Sequence, residues 1–120
     1  MRAYAARGLT AAFLVSVFQL PGAWAQPDDA RLAEKGRLIV EKNCGRCHQT
    51  GATGASPLAI APPFHELTQR YPPESLEEAL GEGLATGHAD MPEFVFEPDD
   101  VSAIVTYLVS LRAGGDGRRK

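Results

Sequence analysis

Several common signatures are missing from this 120-residue chain, and each absence removes a class of function. There is no glycine-rich phosphate loop and no Gly-x-Ser-x-Gly turn, which leaves P-loop nucleotide chemistry and serine hydrolysis without their residues. Basic side chains do not predominate: 12 Lys and Arg face 15 Asp and Glu, the wrong balance for a partner made of phosphates. No apolar stretch approaches the roughly 20 residues of a spanning helix. No internal repeat and no sustained strand alternation is visible. The chain has one Trp, two Met and two Cys, and the two cysteines are only three positions apart. A disulfide between them closes a tiny loop and gives little of the entropic stabilisation that long loops provide.

The N-terminus reads as an export signal. Arg2 and Arg7 form a positive start, Leu9 to Leu20 an apolar stretch, and Ala23-Trp24-Ala25 a small-x-small cleavage site after Pro21-Gly22. At 12 residues that stretch is short for a membrane anchor, so residues 1–25 are expected to be a cleaved signal peptide, with no stable membrane insertion afterwards. Cleavage removes the only Trp. It also leaves 10 of the 12 basic residues against all 15 acids, a formal −5. Such a chain favours partners that present a positive patch. The remaining residues are expected to form one domain over 26–112 and a disordered tail over 113–120.

What the chain does have is Cys44-Gly45-Arg46-Cys47-His48. In this C-x-x-C-H pattern each thiol can add to one vinyl group of a haem while the following imidazole reaches the iron. A domain of this size buries only a modest core, and a large apolar macrocycle would serve as core as well as cofactor. A zinc site from Cys44, Cys47, His48 and His65 is the chemical alternative. Adjacent Cys47 and His48 point in different directions from a helix, which counts against it.

If His48 is one axial ligand, the other must come from elsewhere. Met91 is the only methionine beyond the leader and lies next to Pro92, 43 residues after His48. Its thioether is a soft, neutral donor that favours ferrous iron and closes the site to substrate, a combination that suits electron transfer. His65 and His88 are the rival donors.

Around the motif the sequence is helical. Asp28 to Asn43 carries acids at its start and Leu32, Gly36, Ile39 and Val40 at helical spacing. Gly36 costs about 1 kcal/mol relative to alanine, a loss compensated where another backbone or a large side chain approaches closely. Gln49 to Pro63 is loop by its glycines and prolines. Phe64 to Arg70 forms a short helix stopped before Pro72, and Pro73 starts another that runs to about Leu80, with Gly81 or Gly83 beyond its end. Gly83 to Phe96 is loop. Pro98 opens the last helix, where Val101, Ile104, Val105, Leu108 and Leu111 form an apolar stripe beside Tyr107. The acid pairs Glu77-Glu78 and Asp99-Asp100 lie on these helices as solvated faces or dipole partners rather than as an acid/base pair.

Taken together, Cys44 to His48, Ala61-Pro62-Pro63-Phe64, the loop Gly87 to Phe94 and the helix Asp99 to Leu111 resemble a small class I bacterial cytochrome c. The likeness spans Leu32 to Arg112. It implies an all-α fold of three to five helices around a single haem c, with thioethers at Cys44 and Cys47 and iron held by His48 and Met91. It implies that the Pro62 carbonyl accepts a hydrogen bond from the His48 ring, with Pro63 able to take that role instead, and that Gly36 and Tyr107 mark the crossing of the terminal helices. Arg70 and Tyr71 are candidate propionate partners, the alternative being simple exposure to solvent. Unlike mitochondrial relatives with a lysine-rich docking face, this chain is acidic.

The expected function is therefore periplasmic one-electron transfer between redox partner proteins, with no enzymatic step. A dedicated haem subunit of a periplasmic dehydrogenase or oxidase uses the same chemistry. A haem sensor or peroxidase-like enzyme requires a weak or absent sixth ligand.

Overall fold

The computed structural model describes residues 27–83 and 90–116. The expected signal peptide, His88 and the last four residues of the expected tail lie outside them. Four α-helices and one 3-10 turn, and no strand, occur among the described residues. They are α1 (Pro27–Cys44), α2 (Phe64–Arg70), the 3-10 turn Pro73–Leu76, α3 (Glu77–Glu82) and α4 (Pro98–Asp116). The all-α expectation holds.

Asp28 and Asp29 in the first turn of α1 and Lys42 in its last complement the helix dipole. Pro98 needs no N–H at the start of α4, and Asp99 and Asp100 follow it. The principal contact is between these two helices. At their crossing a Cβ on Gly36 would overlap the Ala103 carbonyl and lie 2.9 Å from Tyr107 Cβ. Only glycine allows this approach. Val40, Leu80, Val101, Ile104, Val105, Tyr107, Leu108 and Leu111 form the core, with Ile39, Cys44, Phe64, Leu76 and Phe96 packed against it. Each fully buried aliphatic side chain there contributes about 1.5–3 kcal/mol. Lys35 bridges the same helices at their edge, with Nζ 2.7 Å from Asp100 Oδ1.

Two boundaries differ from the sequence reading. The helix expected from Pro73 to Leu80 is divided: Pro73–Leu76 is a 3-10 turn in which the Ser75 N–H bonds the Pro72 carbonyl (3.1 Å), and α3 follows. Short three-residue bonding of this kind is common at the N-terminal end of an α-helix. Gly81 lies inside α3, whereas Gly83 ends it with φ +119°. At the other end, residues 113–116, expected in a disordered tail, are the last turn of α4. Gly114 does not adopt the left-handed conformation that ends helices, and propagation from an established helix adds a hydrogen bond per residue.

Candidate haem-attachment site

Helix α1 ends at Cys44, and the chain then tightens into turns. Cys47 N–H (3.1 Å) and His48 N–H (3.0 Å) both donate to the Cys44 carbonyl. This single turn holds the two thiols and the imidazole together. Gly45 has no room for a side chain, because a Cβ there would come within 2.5 Å of the Glu41 carbonyl oxygen. Both thiols are free and half-buried. Burial, with Cys47 adding a smaller contribution, pushes the Cys44 thiol up to about 11. The nucleophilic thiolate is therefore scarce at neutral pH in the closed fold.

The loop 49–63 folds back under His48. Leu58 N–H donates to the Cys47 carbonyl (3.1 Å), Phe64 N–H to the Gln49 carbonyl (2.9 Å) and Gln49 N–H to Ser56 Oγ (2.9 Å). This brings the Pro62 carbonyl 2.8 Å from His48 Nδ1. A carbonyl oxygen only accepts, so the proton is on Nδ1. In the neutral ring Nε2 then carries the lone pair that can ligate a metal. The contact is made by Pro62 and not by Pro63, which caps α2 and whose carbonyl takes the N–H groups of Glu66 and Leu67. A prepared imidazole and two unpaired thiols, with Cys44 packed against the apolar core, fit covalent haem.

Two contacts near the motif were not legible as site features. Phe64 packs on the His48 ring, centroids 5.0 Å apart and planes at 42°. The Tyr107 hydroxyl donates to the Thr50 carbonyl at 2.8 Å. An aromatic directly after the two prolines was the only available signal for the first, and nothing local signals the second.

The other expected residues stand on other segments. Met91 is half-buried in the segment 90–97, which is fastened where Phe96 N–H donates to the Leu80 carbonyl (2.9 Å). Arg70 is exposed, with Nη2 3.5 Å from Glu66 Oε2, and Tyr71 is 60% exposed. His65 turns Nδ1 to the Gly51 carbonyl (3.3 Å). Among the described residues no three His, Cys, Asp or Glu side chains form a metal-binding group, so the four-donor zinc arrangement is not formed there. No described helix is long and apolar enough to cross a membrane.

No curated protein and no solved structure matches the chain. The profile of the family described as cytochrome C oxidase, cbb3-type, subunit III matches residues 31–108, from the body of α1 to the middle of α4. That span contains the attachment turn, the loop beneath His48 and the helix crossing, and the chain accordingly belongs to this family of c-type cytochrome domains, which carry covalent haem c.

Proposed function

We propose that the protein is a periplasmic one-electron carrier with a single haem c, which Cys44 and Cys47 would anchor and whose iron His48 and Met91 would hold. The observation that carries the proposal is the His48 Nδ1 contact with the Pro62 carbonyl, which prepares Nε2 for a metal. Haem c, when bound, supplies cycling between Fe(III) and Fe(II). The chain supplies orientation and exclusion. The Pro62 carbonyl accepts the Nδ1–H hydrogen bond and fixes the ring's tautomer and orientation, Phe64 restricts the ring's rotation, and the neutral Met91 thioether would favour the ferrous state and leave no position for substrate. Residues 1–25 direct export. Redox partners with basic docking patches suit the acidic mature chain, and a carrier needs small, short-lived interfaces with them. Arg70 and Tyr71 remain candidate propionate partners.

The family's description favours a second version of the same chemistry, a dedicated haem subunit of an oxidase. Purification separates the two, since a carrier elutes alone and a subunit with its enzyme.

The direct test is a visible spectrum of protein exported with haem-attachment machinery. It is expected to show a c-type ferrous spectrum and the weak far-red band of methionine on ferric iron, and Met91→Ala is expected to abolish that band. High-spin ferric iron, or immediate carbon monoxide binding by the ferrous wild type, would refute the carrier reading in favour of a sensor or peroxidase-like protein.

A further inference from the structure

Three successive features of the attachment loop are held by hydrogen bonds, but not from the same place. The Cys47 and Gln49 carbonyls are bonded by Leu58 and Phe64 N–H groups, which the loop itself or its exit supplies. These bonds shape the loop internally. The Thr50 carbonyl is bonded by the hydroxyl of Tyr107, 57 residues away on α4. That bond fixes the loop against the helical core.

The burial makes the bond consequential. Thr50 and Tyr107 are each 7% exposed. Removing the donor would leave a buried carbonyl unpaired, and the desolvation penalty would drive the loop outward toward water. Burial also raises the Tyr107 phenol above its ordinary range, so the hydroxyl stays a donor at neutral pH. Gly36 is part of the device, because the absence of its Cβ lets the Ala103 backbone and the Tyr107 Cβ approach α1 closely.

We propose that Tyr107 is a positioning residue for the segment that carries His48, acting through the hydrogen bond from its hydroxyl to the Thr50 carbonyl. The proposal rests on the reading of His48 as an iron ligand. Tyr107 acts through the Thr50 carbonyl and not on the ring or the iron. It fixes the residue two positions beyond His48, and thereby the angle at which the imidazole is presented.

Tyr107→Phe removes the hydroxyl and keeps the ring. In the variant holoprotein, amide exchange at Leu58 and Phe64 is expected to accelerate about tenfold, while core amides of α1 and α4 stay within about twofold of wild type. The paramagnetically shifted proton resonances of the ferric His48 ring are expected to move as well. Unchanged exchange at Leu58 and Phe64, or equal acceleration throughout the helices, would overturn the proposal, the second because it marks a merely structural loss. If the variant fails to fold, the hydroxyl proton of Tyr107 in the native holoprotein decides: slow exchange supports the tether and exchange averaged with solvent overturns it. His48→Ala separates the two readings. An unchanged spectrum in that variant defeats the ligand assignment, while the amide measurement still tests the tether.

Discussion

Replacing Gly36 by alanine opposes two effects of known sign. Alanine is better than glycine inside a helix by about 1 kcal/mol, and on propensity alone the variant should be more stable. The packing argues otherwise. The new methyl would overlap the Ala103 carbonyl oxygen, with Ala103 C at 2.5 Å and Tyr107 Cβ at 2.9 Å. These are backbone and Cβ atoms of a helix whose Ala103 is fully buried, so no side-chain rotation relieves the overlap. The helices must separate, at the upper end of the roughly 1–3 kcal/mol typical of overpacking. The net effect is a loss of about 2 kcal/mol, or roughly 10 °C in Tm for a domain of this size. Gly81→Ala is the control, because it lies inside α3 and a Cβ there meets nothing within 4 Å. It is expected to gain up to about 1 kcal/mol. Thermal unfolding of the two holoproteins followed by circular dichroism provides the comparison. A rise in Tm for Gly36→Ala comparable to that for Gly81→Ala would refute the close-crossing argument.

Two weaker interactions give smaller expected effects. Lys35→Gln removes the α1–α4 ion pair with Asp100, and because both side chains are substantially exposed the loss in urea unfolding is expected to be below about 1 kcal/mol and to shrink at high salt. A loss that is large and insensitive to salt would contradict that. The Arg37 guanidinium, through its hydrogen bond first, holds the exposed Glu34 carboxyl below its usual range. Since the folded value is the lower one, this contribution is present above about pH 4.5 and is lost as pH falls through the folded midpoint. A carboxyl NMR titration is expected to find the Glu34 midpoint raised by Arg37→Gln, and no change would remove Arg37 as the cause.

The helices were legible because their signals are local. Phe64–Arg70 is bounded by prolines on both sides, and α4 by Pro98 and an apolar stripe that matches the observed core from Val101 to Leu111. Gly36 was legible as an anomaly, since an interior glycine needs a reason and the Ala103 approach supplies it. Pro62 came from resemblance alone. Its choice over Pro63 depends on how the loop 49–63 returns, which is set by bonds from Leu58 and Phe64 that no spacing rule encodes. The end of α4 was misplaced because the glycines after Leu111 look like a stop, yet a glycine stops a helix only when it takes a positive φ. The sequence marks Tyr107 as a packing residue only, because its hydroxyl bonds a backbone carbonyl, a group every residue possesses and no sequence distinguishes.

The two sides proposed for the iron are built differently, and this decides which ligand is the better probe. On the His48 side the covalent anchors, the Pro62 carbonyl, the Phe64 ring and the Thr50 tether all act within a short segment backed by α1 and α4. Substitution there disturbs attachment, loop and core at once, and the results are not additive between neighbours. Met91 stands in the segment 90–97, which is fastened by Phe96 N–H to the short helix α3 rather than carried on either long helix. A six-residue helix that contributes one side chain, Leu80, to the buried core belongs to the less stable part of such a fold. Under the proposed ligation, loss of the thioether is therefore expected to change the iron's ligands and leave the attachment turn standing. Preorganisation on the His48 side and a separate segment for Met91 make Met91→Ala a test of the proposed ligation, whereas His48→Ala tests the whole site.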